Sequence, residues 1–455
     1  MGRLVYWRSD FYLWNGRSYS MLPEDVLEAW VSRFVREHTW KRRVGGEMKV
    51  TAGSPTRSMV RNVTGIVRDH WPLRPDPAPP LWLGKGEAQR TIVLHDCVLD
   101  VERFLAMAKD EEGVGDLTGV HTPDLFSVNE LEFDWDPAAS CPKWDAFLAE
   151  VLPEEAHRAT MSEWFGYCLI PSQDYQAIMI FQGEGANGKS IIQSVLRRLV
   201  GVKNCSAVAL DDLHRPHATS PLVGKLVNWA GEWGFIDKEA VSILKRISGG
   251  DSIMIDPKYK PRFEMRLPTR FCISTNEAPR LQDRSDAIWR RLLTVPFKVQ
   301  IDPERQREPG ELVDDLCSEL PGILLWALGG LVELVKRGGF MEDAHMIELK
   351  EEYRAAANPE ATFCDEHLAV DEECFAYTDD VFREYRDWCR RGEFKPMNRE
   401  HFGRQMRRWW SKRPETAGAE LGLSQPRAAG GGRRRRYEGV RLLMFEPGVA
   451  GMEGG

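Results

Sequence analysis

The chain has 455 residues, of which 42% are hydrophobic and 29% charged, and its formal net charge at pH 7 is −8. This composition excludes fibrous, collagen-like and wholly disordered proteins, and the length predicts about three domains. No run approaches the roughly 18 consecutive apolar residues of a membrane helix, the start lacks the regions of a signal peptide, and the nine cysteines include no CxxC pair. We therefore expect a soluble cytoplasmic protein with no membrane partner.

The first 90 residues are predicted to form a hairpin, a helix and a linker. Aromatic and polar residues alternate on both sides of Asn15-Gly16, which is a strong hairpin signal. Pro23 to Glu37 has the apolar spacing of an amphipathic helix, and a proline-rich stretch lies near residues 72–86. Residues 91–170 have a mixed, mainly helical pattern and are predicted to form a separate domain.

Beyond Tyr175, apolar runs alternate with helical patterns, which is typical of a parallel sheet with crossover helices. The sequence therefore predicts an α/β core over 171–310, followed by a helical extension over 311–360 with a long helical stretch from Glu311 to Gly338. A helix is expected at Lys238–Ser248. The expected strands are Ala177–Gln182, Leu226–Ala230, Thr269–Ser274 and Leu292–Pro296.

The last block, residues 361–447, has two helical patterns, a Gly/Arg-rich loop and a short apolar strand, and 448–455 is expected to be a flexible tail. Basic residues far outnumber acidic ones between Arg404 and Arg441. A local excess of positive charge is a better guide to a nucleic-acid partner than the total charge.

The motif that carries chemistry is GEGANGKS, which follows a predicted strand and precedes an amphipathic helix. Its glycines let backbone N–H groups face a polyphosphate, and the helix N-terminus adds its positive end. Lys189 is predicted to reach the β and γ phosphates and Ser190 to bind Mg²⁺. The sequence thus predicts a P-loop that binds ATP and Mg²⁺, formed by Gly183, Glu184, Gly185, Ala186, Asn187, Gly188, Lys189 and Ser190.

Hydrolysis also needs a carboxylate near the metal and the attacking water, at the end of a neighbouring strand. KLVNWAGEW supplies Glu232, the predicted base and metal-site acid, and RFCISTNEAP supplies Asn276 as the predicted γ-phosphate sensor. Arg290 and Arg291 are candidates for an arginine finger across a subunit interface. We favour Arg291, while a structural ion pair remains the alternative for one of the two.

Between Glu232 and Asn276, the segment DSIMIDPKYKPRF places Lys258, Tyr259 and Lys260 at the tip of a predicted hairpin. In a ring-shaped motor these side chains would meet a single DNA strand, because lysines contact phosphates and an aromatic ring can stack on a base. Solvated lysines at a loop tip are the alternative interpretation.

In order and spacing, these motifs resemble those of the superfamily 3 helicases, specifically the ATPase of the phage/plasmid primase-helicase family and its poxvirus relatives. The resemblance covers most of the chain after residue 90. It implies an AAA+-like ATPase that forms a homo-oligomeric ring, expected to be a hexamer, and moves 3′ to 5′ on single-stranded and forked DNA. By position, the resemblance implies that Lys189 binds the nucleotide, Ser190 binds the metal and Glu232 is the acid of the second motif. It also implies that Lys258 and Lys260 belong to the hairpin that contacts DNA.

The resemblance also implies a C-terminal winged-helix domain. Asn398 is a predicted N-cap for a helix whose apolar face carries Phe402, Met406 and Trp409. The other faces of this helix, and a predicted wing, carry the candidate DNA-binding arginines Arg404, Arg407, Arg408, Arg433, Arg434, Arg435 and Arg436. A basic solvated helix and a disordered loop are the alternative.

Full-length members of that family carry a primase domain, whereas about 90 residues precede the matching region here. We expect no primer synthesis from these residues and a separate primase as partner. The predicted function is an ATP-driven DNA helicase in replication of a phage, plasmid or integrated element, in a bacterial or virus-infected cell. The alternatives are an initiator or loader that ATP merely assembles, and a motor that acts on RNA.

Overall fold

The computed structural model describes residues 3–44, 47–70, 72–73, 78–88, 90–108, 116–231, 235–276, 280–281, 286–357, 359–392, 396–416, 419–425 and 434–443. The chain forms two compact units, Met1–Lys350 and Glu351–Gly455.

The first unit contains strands that pair into several sheets, together with the helices that connect and cover them. Its strands are β1 (Leu4–Trp7), β2 (Asp10–Trp14), β3 (Tyr19–Leu22), β4 (Thr39–Val44), β5 (Glu47–Ala52), β6 (Leu81–Trp82), β7 (Gly86–Glu87), β8 (Thr91–Val93), β9 (Val98–Asp100), β10 (Thr118–Gly119), β11 (Leu125–Phe126), β12 (Ile178–Gln182), β13 (Cys205–Ser206), β14 (Val227–Ala230), β15 (Phe235–Ile236), β16 (Ser252–Ile255), β17 (Phe263–Arg266), β18 (Arg270–Thr275), β19 (Arg280–Leu281) and β20 (Leu292–Pro296). Its helices are α1 (Glu24–Glu37), α2 (Arg57–His70), α3 (Val101–Met107), α4 (Pro142–Val151), α5 (Glu155–Leu169), α6 (Lys189–Val200), α7 (Lys238–Ser248), α8 (Asp286–Trp289), α9 (Pro309–Cys317), α10 (Leu320–Arg337) and α11 (Ala344–Ala357), the last of which continues into the second unit.

A five-stranded parallel sheet is the centre of the first unit. Its strand order is β13-β14-β18-β12-β20. The apolar runs predicted as strands form β12, β14, β18 and β20 within about one residue of the expected bounds, and α7 has the predicted bounds. The first unit is therefore a mixed α/β fold of the kind an ATPase core has, and all five strands direct their carboxyl ends to one edge of the sheet.

Helices α5 and α10 pack unusually close to each other beside this sheet. A methyl group on Gly166 of α5 would lie 2.2 Å from the Ala327 carbonyl oxygen, and one on Gly330 of α10 would lie 2.2 Å from the Ser162 carbonyl carbon. Since backbone atoms cannot move aside cheaply, both positions require glycine.

The long helical stretch predicted from Glu311 to Gly338 is two helices, α9 and α10, and not one. They meet at a bend of 74°. Pro321 lies in the first turn of α10, where its missing N–H is tolerated, and it could not lie inside a continuous helix. Among the described residues no single helix is long and apolar enough to cross a bilayer, and these two satisfy the length and composition criteria only as a pair.

The N-terminal hairpin is confirmed as β2 and β3, and β1 adds a third strand that the sequence analysis missed. The Asn15 side chain accepts hydrogen bonds from the backbone N–H groups of Arg17 and Ser18, each 2.9 Å long, and closes the turn. Trp7, Tyr12 and Tyr19 pack edge-on around Phe126 of β11. These aromatic contacts join the small sheet to the rest of the unit.

The second unit is an antiparallel sheet with helices around a core of its own. Its elements beyond α11 are α12 (Pro359–His367), β21 (Leu368–Tyr377), α13 (Thr378–Arg391), α14 (Arg399–Ser411), β22 (Leu423–Ser424) and β23 (Arg436–Leu442). The sheet order is β21-β23-β22. The predicted cap is confirmed, because Asn398 Oδ1 accepts a hydrogen bond of 2.9 Å from His401 N. Phe402, Met406 and Trp409 are buried, as the apolar face predicted.

The close packing of α5 against α10 gives a stability prediction. Gly330→Ala should lower the unfolding midpoint, since the new methyl overlaps the α5 backbone, and overpacking of this kind costs about 1–3 kcal/mol. Gly329→Ala is the matched control, because nothing lies within 4 Å of its new methyl. It should leave the midpoint unchanged or raise it, since alanine is the better helix former. Thermal unfolding of both variants checks this, and equal midpoints would contradict the close approach.

Candidate functional site

The glycine-rich loop Gly183–Gly188 joins β12 to α6 at the carboxyl edge of the central sheet. Gly183 and Gly188 have φ values of +151° and +85°, which side chains rarely adopt. A methyl on Gly183 would also lie 2.3 Å from the Phe297 carbonyl oxygen, and one on Gly188 would lie 2.8 Å from Val151 Cγ1. The loop conformation therefore depends on glycine at both ends.

Neighbouring segments hold the loop in place. Gly183 N donates a hydrogen bond of 3.1 Å to Thr275 O at the end of β18. The buried Asn187 side chain donates to Phe297 O at 3.2 Å, and Ile301 N donates to Ala186 O at 2.9 Å. These contacts fix the loop before any ligand binds, which is what a preorganised anion site requires.

Lys189 is the first residue of α6, and its side chain is buried beneath the loop. Its ammonium donates hydrogen bonds to the carbonyl oxygens of Gly183 and Glu184, the latter at 2.8 Å. Burial lowers the pKa of Lys189, because desolvation disfavours the charged form. Within the described residues, the hydrogen-bond acceptors of this buried cation are neutral carbonyls, so an anionic ligand in the loop would supply a counter-charge.

A cavity of about 640 Å³ opens against the loop. This volume lies within the range of sites for small molecules. Ser190 is exposed beside it, and Asn276, at the end of β18, lines the same cavity as Lys189 and Ser190. The two strands that these residues follow are neighbours in the sheet, which explains why residues distant in sequence meet here.

The opposite wall of the cavity comes from α4 and from the segment 301–316, which the sequence analysis did not assign to the site. This wall carries Lys143, Arg305 and Arg307. Each is paired with a carboxylate: Arg305 with Glu150 at 2.6 Å, and Lys143 and Arg307 with Asp315. Hydrogen bonds from Lys143 and Arg307 hold the pKa of Asp315 below its usual value. The basic residues in IDPERQREPG were a sequence signal that could have indicated this wall.

The other predicted catalytic residues are Glu232, Arg290 and Arg291. Glu232 lies outside the described residues; the strand before it, β14, ends at Ala230 and pairs with β18. Arg290 is exposed. Arg291 is only 9% exposed and donates a hydrogen bond to Ala287 O, and burial lowers the pKa of its guanidinium.

The predicted polar hairpin is confirmed as β16 and β17, with its turn over residues 256–262. Tyr259 is 93% exposed at the tip, and Lys258 Nζ lies 5.0 Å from the centre of its ring. Lys260 forms an ion pair with Asp10, which lies in the N-terminal sheet. In the same region Arg8 stacks 4.5 Å from the Phe263 ring and donates to Glu264 O at 3.0 Å. The N-terminal sheet thus contacts one side of the hairpin and leaves the tip in solvent.

In the second unit, Arg404, Arg407 and Arg408 are exposed on α14, and Arg404 pairs with Glu400 at 3.1 Å. The predicted wing is described from Arg434 onward, so Arg433 lies outside the described residues.

The described arginines of that segment have different surroundings. Arg434 pairs with Asp380 at 3.0 Å and Arg436 with Glu438 at 2.8 Å, whereas Arg435 is exposed.

Comparison with known proteins gives partial matches. The pattern of a family of unknown function, DUF5906, matches residues 181–291, which include the glycine-rich loop and the hairpin. The chain is 23% identical over 323 residues to "Putative helicase 022R" of Frog virus 3 (isolate Goorha), covering 64% of this chain and 32% of that protein. It is 26% identical over 193 residues to "Putative helicase 121R" of Invertebrate iridescent virus 3, covering 38% and 20%.

The chain therefore spans about a third or less of the length of these curated relatives. Among solved structures, the A form apo structure of the NrS-1 C-terminal region aligns with 96% of this chain and 96% of its own, at 11% identity and a TM-score of 0.49. At the level of sequence, the chain is similar to viral proteins named as helicases.

The buried lysine gives a prediction for the ligand-free protein. Lys189→Met should leave the unfolding midpoint unchanged or raise it, because the substitution removes a desolvated cation and keeps a chain of similar length. Lys298→Met, at an exposed position, is the control and should have no effect. Thermal unfolding without nucleotide measures both. A clear drop for Lys189→Met alone would mean that the lysine stabilises the loop by itself.

Proposed function

We propose that the protein is an ATP-dependent DNA helicase with a superfamily 3 ATPase core, acting in replication of a phage, plasmid or integrated element. One observation carries the proposal: a buried lysine lies under a preformed glycine-rich loop, beside a cavity that Ser190 and Asn276 also line. The helicase names of the viral relatives support it. The strand order supports it as well, because it reverses next to β12, and ligands of parallel α/β sheets bind at such points.

The loop and α6 are proposed to bind the phosphates of ATP. Backbone N–H groups at the start of α6 would face the phosphate oxygens, and the helix dipole adds to the attraction. The ammonium of Lys189 would exchange carbonyl partners for phosphate oxygens, which compensates its buried charge. Ser190, with Glu232, would hold Mg²⁺, which when bound neutralises charge on the phosphates.

For hydrolysis we assign Glu232 as the base that takes a proton from the attacking water and Asn276 as the group that orients the γ phosphate. The finger role, which the sequence analysis gave to Arg291, is assigned to Arg290. An arginine that reaches a neighbouring copy has to be exposed in the single chain, as Arg290 is. Arg291 is instead buried, and its guanidinium donates a hydrogen bond to Ala287 O. Arg291 is then a structural residue beneath the interface.

DNA is proposed to contact the hairpin tip and the second unit. The exposed Tyr259 would stack on a base while Lys258 and Lys260 contact phosphates. In the second unit α14 precedes the antiparallel pair β22 and β23, and this order supports a winged-helix domain. Its exposed arginines would contact a DNA duplex. We further propose a hexameric ring, 3′ to 5′ movement, a separate primase as partner, and a cytoplasmic location.

The test of the function is strand displacement on a DNA fork with a 3′ tail, in ATP and Mg²⁺. The wild type should unwind the fork. Lys189→Ala should lose both hydrolysis and unwinding, and Glu232→Gln should bind ATP without hydrolysing it, with losses of about a hundredfold or more. DNA-stimulated hydrolysis without unwinding would contradict the helicase function and favour an initiator or loader. Equal stimulation by RNA and unwinding of RNA would favour the RNA motor.

The hairpin assignment gives a separate prediction. Tyr259→Ala should weaken binding of single-stranded DNA by about tenfold, since stacking on one base contributes about 1–3 kcal/mol. Lys258→Ala should weaken it less and reduce the slope of log affinity against log salt by about 0.7. Asp10→Asn should strengthen binding, because it releases Lys260 from its ion pair.

These affinities can be measured by fluorescence anisotropy over a series of salt concentrations. Lys298→Ala, a lysine exposed elsewhere, is the matched control and should bind as the wild type does. If Tyr259→Ala and Lys258→Ala also bind normally, the hairpin tip does not contact DNA.

A further inference from the structure

A cluster of metal-ligating side chains lies where α5 meets the start of α11. His157 belongs to α5, Asp343 precedes α11, and His345 is in the first turn of α11. Each offers one ligand atom, and these atoms lie within 4.8 Å of one another. None of the three is among the residues that line the cavity at the glycine-rich loop, and the proposed mechanism does not use them.

His157 is buried, and its ring has no hydrogen-bond partner among the residues that the structure describes. Its side chain is 1% exposed, and within the described part of the chain neither ring nitrogen makes a hydrogen bond. Nε2 nevertheless lies 3.2 Å from Asp343 Oδ2, and Nδ1 lies 3.3 Å from Glu154 Oε2. Both contacts fall short of hydrogen-bond geometry, and leaving two buried polar atoms unsatisfied is costly, so the imidazole is positioned to accept a further partner.

The direction of the two nitrogens indicates what this partner is. A histidine that binds a metal through one nitrogen commonly donates its other N–H to a carboxylate, which fixes the tautomer and the ring orientation. Here Nδ1 faces the carboxylate of Glu154, and Nε2 faces that of Asp343, which belongs to the cluster. Glu154 therefore lies where an orienting carboxylate would.

The backbone that carries the ligands is already fixed. Glu163 of α5 accepts a hydrogen bond of 2.8 Å from Met341 N and pairs with Arg337 at 2.5 Å. Thr160 donates to Met341 O at 2.5 Å. Asp343 Oδ1 caps α11 by accepting from Met346 N at 2.8 Å, which leaves Oδ2 directed toward His157. A cluster held this way needs little rearrangement to bind an ion.

We propose that His157, Asp343 and His345 bind one divalent transition metal ion of the Zn²⁺ type, with Glu154 orienting His157. Two imidazoles and one carboxylate favour such ions over Mg²⁺ and Ca²⁺, which prefer all-oxygen sites. The bound ion would join α5 to the start of α11 and stabilise that junction. The competing explanation is an imidazolium at His157 held between two carboxylates with no metal. The proposal does not depend on the proposed function.

The test uses the full chain after treatment with EDTA and gel filtration. Titration with ZnCl₂ should show one tight site per chain, and the unfolding midpoint should rise with saturation. His345→Ala should bind Zn²⁺ at least tenfold more weakly and lose the rise. Asp343→Asn should also bind more weakly, while it keeps an N-cap for α11 because asparagine caps as well as aspartate. His401→Ala is the matched control, since His401 is an exposed histidine in the first turn of another helix.

Three results would overturn the proposal. The first is a wild type that binds no Zn²⁺, which favours the metal-free ion pair at His157. The second is equal Zn²⁺ affinity in wild type and His345→Ala. The third is a Co²⁺ complex whose spectrum is dominated by thiolate charge transfer, because that would locate the metal at cysteines instead.

Discussion

The pairing of β12 on both sides is the constraint on which the candidate site depends. Its residues from Ile178 to Phe181 are buried, β18 pairs along one edge and β20 along the other, and both ladders are parallel. The strand can therefore not slide without breaking two sets of hydrogen bonds. The fixed register determines where the chain leaves the sheet, so the glycine-rich loop begins next to Thr275 and Phe297. The loop then requires glycine at position 183, because the Phe297 carbonyl oxygen and the Asn187 side chain approach too closely for any other residue.

The same rigidity explains why a cation can be buried at Lys189. The loop carbonyls that accept its hydrogen bonds are held by contacts to β18 and to the segment after β20. They compensate the charge only in part, since the pKa of the lysine remains lowered. A site that keeps a positive charge poorly compensated is less stable than it could be, and it gains more when an anion arrives. The uncompensated charge thus lowers the stability of the ligand-free protein and strengthens the binding of an anion.

How far the sequence allowed prediction depended on whether the signal was local. The central strands and α7 are marked by apolar runs with clear ends, and GEGANGKS carries its own strand and helix, so these were predicted well. The far wall of the cavity was not, because Lys143 and Arg305 come from segments distant from the loop and only packing brings them together. Adjacent arginines could not be distinguished either: Arg290 and Arg291 have the same chemistry, and burial alone separates them. The pair between Lys260 and Asp10 joins residues 250 positions apart in the sequence, where no periodicity applies.

In the proposed function, the loop above Lys189 binds the phosphates of ATP. Equilibrium titration of the purified chain with a fluorescent ATP analogue and Mg²⁺, beside Lys189→Ala and the surface control Lys298→Ala, tests it most directly. We expect one saturable site in the wild type and in the control, and a loss of at least tenfold in affinity in Lys189→Ala, since a charge-assisted hydrogen bond contributes about 1.5–3 kcal/mol. Equal affinity in all three proteins would contradict it, and so would the absence of binding in the wild type.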